Sequence, residues 1–139
     1  MRSSKPILLV EDDSVDAMTV RRVFKDLKVA NRLVHTVDGQ QALEYLQDGG
    51  NEKPCLVLLD LNMPKMNGIE FLKIAKSDKM LRAIPVIVMT TSKEGYDIAE
   101  SFKLSVAGYM VKPIDYKRFV EVIRTIKLYW TSSELPNEG

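Results

Sequence analysis

Short, unbroken apolar runs alternate along this chain with longer stretches in which apolar residues recur at helical spacing. Residues 7–10, 55–59 and 86–89 are apolar at nearly every position. A strand with one wet face would alternate, so these runs predict strands covered on both faces, as in a parallel sheet. A weaker strand is predicted at 33–37 and a fifth at 107–111, around Gly108. Between the runs, Val20, Val23, Phe24 and Leu27 fall at i, i+3, i+4 and i+7, one helical face, with Arg21, Arg22 and Lys25 opposite. Ser14 is the expected N-cap of that helix, with Asp16 in its first turn, where a negative charge suits the dipole. Further helices are expected at about 39–48, 68–77, 94–104 and 115–130, with Asp38-Gly39, Gly49-Gly50 and Asn67-Gly68 marking the connections.

Strand is followed by helix five times over. Right-handed crossovers turn that order into an α/β fold, a doubly wound five-stranded parallel sheet with helices on both faces. The 139 residues suit one compact domain, residues 1–139, with its core at about 5–130 and a polar tail expected to be loose at 131–139. On the last helix, Phe119, Ile123, Ile126 and Trp130 make a core stripe. Tyr116, Val120 and Leu128 are then an apolar surplus beside Tyr129, which suggests a homodimer face formed by the last two helices.

Composition narrows the function more by exclusion than by signal. Hydrophobic residues make up 45% and charged residues 28%, the balance of a folded globular chain. A net charge of +1 gives no pull toward nucleic acid or an anionic membrane. Cys55 is the one cysteine, so an internal disulfide and a Cys-rich zinc site are excluded, and it is expected to be a small core residue. The apolar runs fall far short of the roughly 20 residues of a membrane span, and the N-terminus lacks the apolar stretch of a signal peptide. A reducing, cytoplasmic location is expected.

Ligands of an open α/β sheet gather beyond the carboxyl ends of its strands. There this chain has Glu11-Asp12-Asp13 after the first strand, Asp60 after the third, Thr90-Thr91-Ser92 after the fourth and Lys112-Pro113 after the fifth. Clustered carboxylates raise one another's pKa or recruit a cation, and hard oxygen ligands suit Mg²⁺. A phosphoryl group in transfer needs its oxygens positioned and neutralised, which a cation, the Lys112 ammonium and the Thr90 hydroxyl would do beside Asp60 as attacking carboxylate. Alone, each residue has a plainer reading: Asp60 a turn cap, Glu11 and Asp13 solvated loop acids, Ser92 the N-cap of the fourth helix, Tyr109 a packing aromatic. His35, on the weak second strand, is read as structural and away from the rim.

The segments Leu8-Leu9-Val10-Glu11-Asp12-Asp13, Leu58-Leu59-Asp60-Leu61-Asn62-Met63-Pro64 with Gly68, Val88-Met89-Thr90 and Gly108-Tyr109-Met110-Val111-Lys112-Pro113 resemble the receiver domain of two-component response regulators. The resemblance runs over about residues 5–130 and implies the flavodoxin-like (βα)5 receiver fold. It implies Asp60 as phosphoacceptor, and Glu11 and Asp12 as an acidic pair that holds Mg²⁺ with Asp60 and the Asn62 backbone carbonyl. By the same resemblance Thr90 is the switch hydroxyl, Tyr109 the switch aromatic and Lys112 the lysine on the phosphoryl oxygen, with a cis Lys112–Pro113 bond. Two positions depart from the pattern: Thr91 replaces a smaller residue and could narrow access, and Ile114 follows the proline where phenylalanine is common.

The implied function is a response regulator rather than an enzyme. It would take a phosphoryl group from a sensor histidine kinase and pass the state to a protein target, to a phosphotransfer protein or into self-association, with no output domain expected. Thr90-Thr91-Ser92, Tyr129-Trp130 and Leu135-Pro136 further resemble the single-domain regulators paired with bacterial and cyanobacterial phytochromes. One alternative is a degenerate receiver that binds partners without phosphorylation. A small hydrolase of the haloacid dehalogenase type would need an acid where Asn62 stands, and a flavin or nucleotide binder would want a phosphate loop where this chain has three acids.

Overall fold

The computed structural model describes the backbone of residues 5–132 and the side chains of residues 5–126. Each fully apolar run becomes a buried strand: β1 (Ile7–Val10), β3 (Leu56–Leu59) and β4 (Val86–Thr90). Between and beyond them lie α1 (Ser14–Asp26), β2 (Leu33–Thr36), α2 (Gly39–Gln47), α3 (Gly68–Ser77), α4 (Gly95–Lys103), β5 (Gly108–Val111) and α5 (Tyr116–Ser132). The sheet is parallel throughout, in the order β2-β1-β3-β4-β5.

Side-chain parity divides each buried strand between two cores. In β1, Leu8 and Val10 join Val57 and Leu59 under α2 and α3, while Ile7 and Leu9 join Leu56 and Leu58 under α1 and α5. The predicted α1 stripe holds, with Ala17, Val20, Val23 and Phe24 buried, and Leu27 forming the helix C-cap against the same core. The edge strands β2 and β5 are half-buried, which explains their weaker patterns.

Several local expectations need correcting. Asp13, not Ser14, caps α1: its Oδ1 accepts from the backbone N–H of Val15 and Asp16 at 2.9 and 3.0 Å. Asp13 has the extended backbone of a cap residue (φ −82°, ψ 117°), whereas Ser14 is already the first helical residue, and the Asp13 carboxylate also suits the positive helix end. Ser92 does not cap α4 either; Glu94 holds the cap position with no side-chain bond, and Ser92 Oγ instead accepts from Glu94 N–H and donates to Asp97. Cys55 is half-buried just ahead of β3. Thr131 and Ser132 extend α5 rather than begin a tail. Val120 packs against the α1–α5 core, so it leaves the apolar surplus. Tyr116 is exposed and donates to Asp26 at 2.6 Å. The side chains of Leu128, Tyr129 and Trp130, and residues 133–139, lie outside the described residues.

Register brings the strand ends together. Val10 pairs with Leu59, and Asp60 N–H donates to the Val10 carbonyl at 3.0 Å, so Glu11 and Asp60 leave neighbouring strands side by side. Thr90 pairs with Val111, and Lys112 N–H donates to the Thr90 carbonyl at 2.7 Å. The chain reverses its direction of travel across the sheet between β1 and β3, the switch point where an α/β sheet opens a crevice.

One glycine holds the loop after Asp60 in place. A Cβ on Gly68 would lie 2.6 Å from Leu61 Cα and 2.7 Å from the Asp60 carbonyl oxygen, both backbone atoms. Gly68 N–H also donates to the Leu61 carbonyl at 2.9 Å, and Asn67 and Glu70 complete a capping box there. Gly68→Ala must therefore push α3 off the strand end. The expected cost is about 1–3 kcal/mol, read as a lower urea midpoint at unchanged slope; an unchanged midpoint would show that the start of α3 can yield.

Candidate functional site

The crevice gathers carboxylates from two strand ends. Oxygens of Glu11, Asp12 and Asp60 all lie within 4.8 Å of one another, with Glu11 and Asp60 buried and Asp12 exposed. Glu11 is only 1% exposed, and its surroundings account for each of its oxygens. Oε1 accepts from Lys112 at 2.7 Å and Oε2 from the Asp13 N–H at 3.1 Å. Its backbone is pinned on both sides, N–H to the Thr36 carbonyl at 3.0 Å and carbonyl to His35 Nε2 at 2.7 Å. Asp60 uses Oδ1 to accept from Asn62 N–H at 3.2 Å and Oδ2 to accept from Lys112 at 3.3 Å.

Lys112 is the cation of this cluster. Its Nζ also donates to Asp16 Oδ2 at 2.7 Å, so one ammonium bonds three carboxylates. Burial by itself would lower its pKa; the hydrogen bonds to Asp16 and Glu11 and the charge of Asp60 outweigh that and raise it, so Lys112 stays protonated. The expected cis Lys112–Pro113 bond is present.

Thr90 is fully buried at the end of β4. Its Oγ1 accepts from Asn62 Nδ2 at 3.3 Å and from Ser92 N–H at 3.4 Å, and Thr91 Oγ1 accepts from the same Asn62 amide at 3.0 Å. The Asn62 side chain therefore bridges the Asp60 loop to the β4 end. Tyr109 stands further out: its hydroxyl donates to the Ser92 carbonyl at 3.0 Å, its ring lies 6.5 Å from that of Phe102, and burial raises its pKa. A concavity of about 440 Å³ opens beside the acids, lined by Asp12, Asn62, Met63, Pro64, Asn67 and Asp97 among others.

The structure thus brings Glu11, Asp12, Asp60 and Lys112 together and connects Thr90 to them through Asn62, while Tyr109 faces the β4–α4 loop. Two residues join the site without a sequence signal. Asp16, by its position a first-turn acid four residues after Asp12, reaches Lys112. His35 lies on the second strand, yet the pairing of Leu9 with His35 brings its ring to the Glu11 carbonyl. No spacing in the sequence reports a cross-strand pairing.

These residues fit a divalent cation. Glu11, Asp16 and Asp60 share a single ammonium and Asp12 lies within 4.8 Å of the Glu11 and Asp60 oxygens, an excess of negative charge that a second cation relieves. Glu11 records the strain: burial above all pushes its carboxyl up to about 7, against the Lys112 hydrogen bond, with the Asp60 charge adding to the rise. A carboxyl raised on folding contributes stability that is complete below its ordinary value of 4.5 and is lost as pH rises through about 7. Metal-free protein is therefore expected to lose urea resistance across that window at constant ionic strength, and Glu11→Gln to flatten the slope. Divalent-cation affinity should rise over the same window, because the ligand must be deprotonated.

Comparisons with known proteins agree with this geometry. The family model described as the response regulator receiver domain matches residues 7–124. The chain is 40% identical over 127 residues to the probable methanogenesis regulatory protein FilR2 of Methanothrix harundinacea, covering 89% of this chain and 82% of that protein. It is 37% identical over 130 residues to the response regulator Rcp1 of Synechocystis sp., covering 91% and 88%. The Mn²⁺-bound form of Rcp1 superposes with a TM-score of 0.80 at 35% identity, covering 93% of this chain and 96% of that one. The phosphorylated cyanobacterial phytochrome response regulator RcpA superposes at 0.83 with 34% identity, covering 97% and 100%. The chain belongs to the response regulator receiver domain family, the phosphoryl-accepting side of two-component signal transduction.

Proposed function

We propose that Asp60 is the residue that accepts the phosphoryl group, with Mg²⁺ as the cation. The observation that carries this reading is the convergence of Lys112 on Asp60 Oδ2 inside the Glu11–Asp12–Asp60 cluster. A carboxylate oxygen of Asp60 attacks the phosphorus of a phosphohistidine, the P–N bond breaks with the electron pair returning to the imidazole, and an acyl phosphate forms. Glu11, Asp12, Asp60 and the Asn62 backbone carbonyl would hold Mg²⁺, which when bound neutralises phosphoryl charge. Lys112 takes a phosphoryl oxygen, and Thr90 takes another once its hydroxyl gives up the Asn62 amide.

Release of that amide is the switch. Thr90 moves toward the new dianion, Tyr109 gives up the Ser92 carbonyl and follows, and the surface of α4, β5 and α5 changes its preferred arrangement. The donor is a sensor histidine kinase, and the likeness to the phytochrome response regulator RcpA supports one of the phytochrome type. The output is protein contact: a target, a phosphotransfer protein, or a homodimer through α4 and α5, where Tyr96, Phe102 and Tyr116 are exposed. We read residues 1–139 as one receiver domain working in the cytoplasm, where ATP-fed kinases act.

Intact mass after incubation with a small-molecule phosphodonor tests the assignment. One phosphoryl group should appear with Mg²⁺, fail to appear with a chelator, and vanish in Asp60→Asn. A folded wild-type protein that gains nothing would move the reading to a degenerate receiver. Sedimentation of the phosphorylated and unmodified forms then tests the dimer, which a monomer in both states at high concentration would remove.

A further inference from the structure

The three bonds of Lys112 are not equivalent. Glu11 and Asp60 belong to the acidic trio whose oxygens converge within 4.8 Å, so a cation seated there claims the same carboxylates that hold the ammonium. It also repels the ammonium directly, and in a half-buried site that repulsion is screened less than in water. Asp16 stands outside the trio, on the first turn of α1, with its Oδ2 2.7 Å from Lys112 Nζ. The Lys112 side chain is 10% exposed and cannot turn out to solvent without leaving its packing, whereas Asp16 is 39% exposed and faces the rim.

Asp16 is itself held in position. Its backbone N–H donates to Asp13 Oδ1 at 3.0 Å, the same carboxylate that caps α1 through Val15. Asp13 therefore positions the first turn, the first turn positions Asp16, and Asp16 positions the ammonium that faces Asp60. A half-exposed ion pair is ordinarily worth little to stability. The worth of this one is in where it leaves the lysine when the neighbouring carboxylates are taken.

We propose that Asp16 is a positioning residue for Lys112, the partner the ammonium keeps when a divalent cation occupies Glu11, Asp12 and Asp60. The proposal rests on the reading of that trio as the cation's ligands. Without Asp16 the ammonium has Glu11 and Asp60 as its partners and competes with the cation for both. Loss of Asp16 then weakens cation binding by acting through Lys112 and not merely by removing a nearby negative charge.

A double-mutant cycle on the full chain separates these effects, with Mn²⁺ affinity measured by calorimetry for wild type, Asp16→Asn, Lys112→Gln and the double variant. Asp16→Asn should weaken Mn²⁺ binding roughly tenfold when Lys112 is present and at most about twofold in the Lys112→Gln background, a difference of the size contact pairs show. Asp16→Glu, which keeps the carboxylate, should recover most of the loss. In metal-free protein, the Lys112 side-chain ammonium resonance should shift in Asp16→Asn and return toward wild type in Asp16→Glu. An equal loss in both backgrounds, no loss at all, or an unmoved ammonium resonance overturns the proposal. Wild type that binds no Mn²⁺ instead brings down the cation-site reading itself.

Discussion

One ammonium among four carboxylates is the interaction on which the rest of this molecule's site depends. Glu11 is almost wholly buried, and a buried carboxylate without a partner would be strongly unfavourable. Lys112 makes it tolerable and draws Asp60 and Asp16 onto the same nitrogen. That arrangement needs the ends of β1, β3 and β5 and the start of α1 to meet, which ties it to strand register and to the Asp13 cap. The balance remains negative, and an incomplete balance is what makes the crevice receptive to a divalent cation and to a phosphoryl group arriving with it.

From this charged centre a chain of polar contacts leads outward. The Asn62 amide ties Thr90 and Thr91 to the Asp60 loop, Ser92 joins the next turn to Asp97, and the Tyr109 hydroxyl rests on the Ser92 carbonyl. At its far end lies α4, which among the described residues buries Ser101 alone, with that hydroxyl lacking a partner. A helix with so little buried apolar surface is displaced at lower cost than α2 or α3, whose faces are sealed by Leu43 and Leu46 or by Phe71 and Leu72. Sensitivity is thereby concentrated between the Asp60 loop and α4, and rigidity in α2 and α3.

Thr91 illustrates how a departure from a family pattern takes its meaning from structure. As a larger residue beside the site it suggested restricted access. In place it is exposed and accepts the Asn62 amide, so its hydroxyl helps hold the bridge that secures Thr90. Ile114, the other departure, packs into the α1–α5 core.

Most of the fold was legible in the sequence, because a strand buried on both faces must be apolar throughout and an amphipathic helix must repeat near 3.6. The same reasoning located Glu11, Asp12, Asp60, Thr90 and Lys112 at strand ends, since chain order and crossover handedness bring those ends to one rim. Local capping was less legible: Asp13 and Ser14 are both good caps, and which one serves depends on the dihedral angles at the turn. The partners across the crevice come from packing between elements far apart in the chain. Asp16 to Lys112 spans 96 residues, and His35 to the Glu11 carbonyl spans 24 between adjacent strands. Such contacts leave no periodic trace, because they are set by register and side-chain reach rather than by the repeat of any one element. Chain order and strand pattern set which groups can reach the rim; packing sets which of them touch.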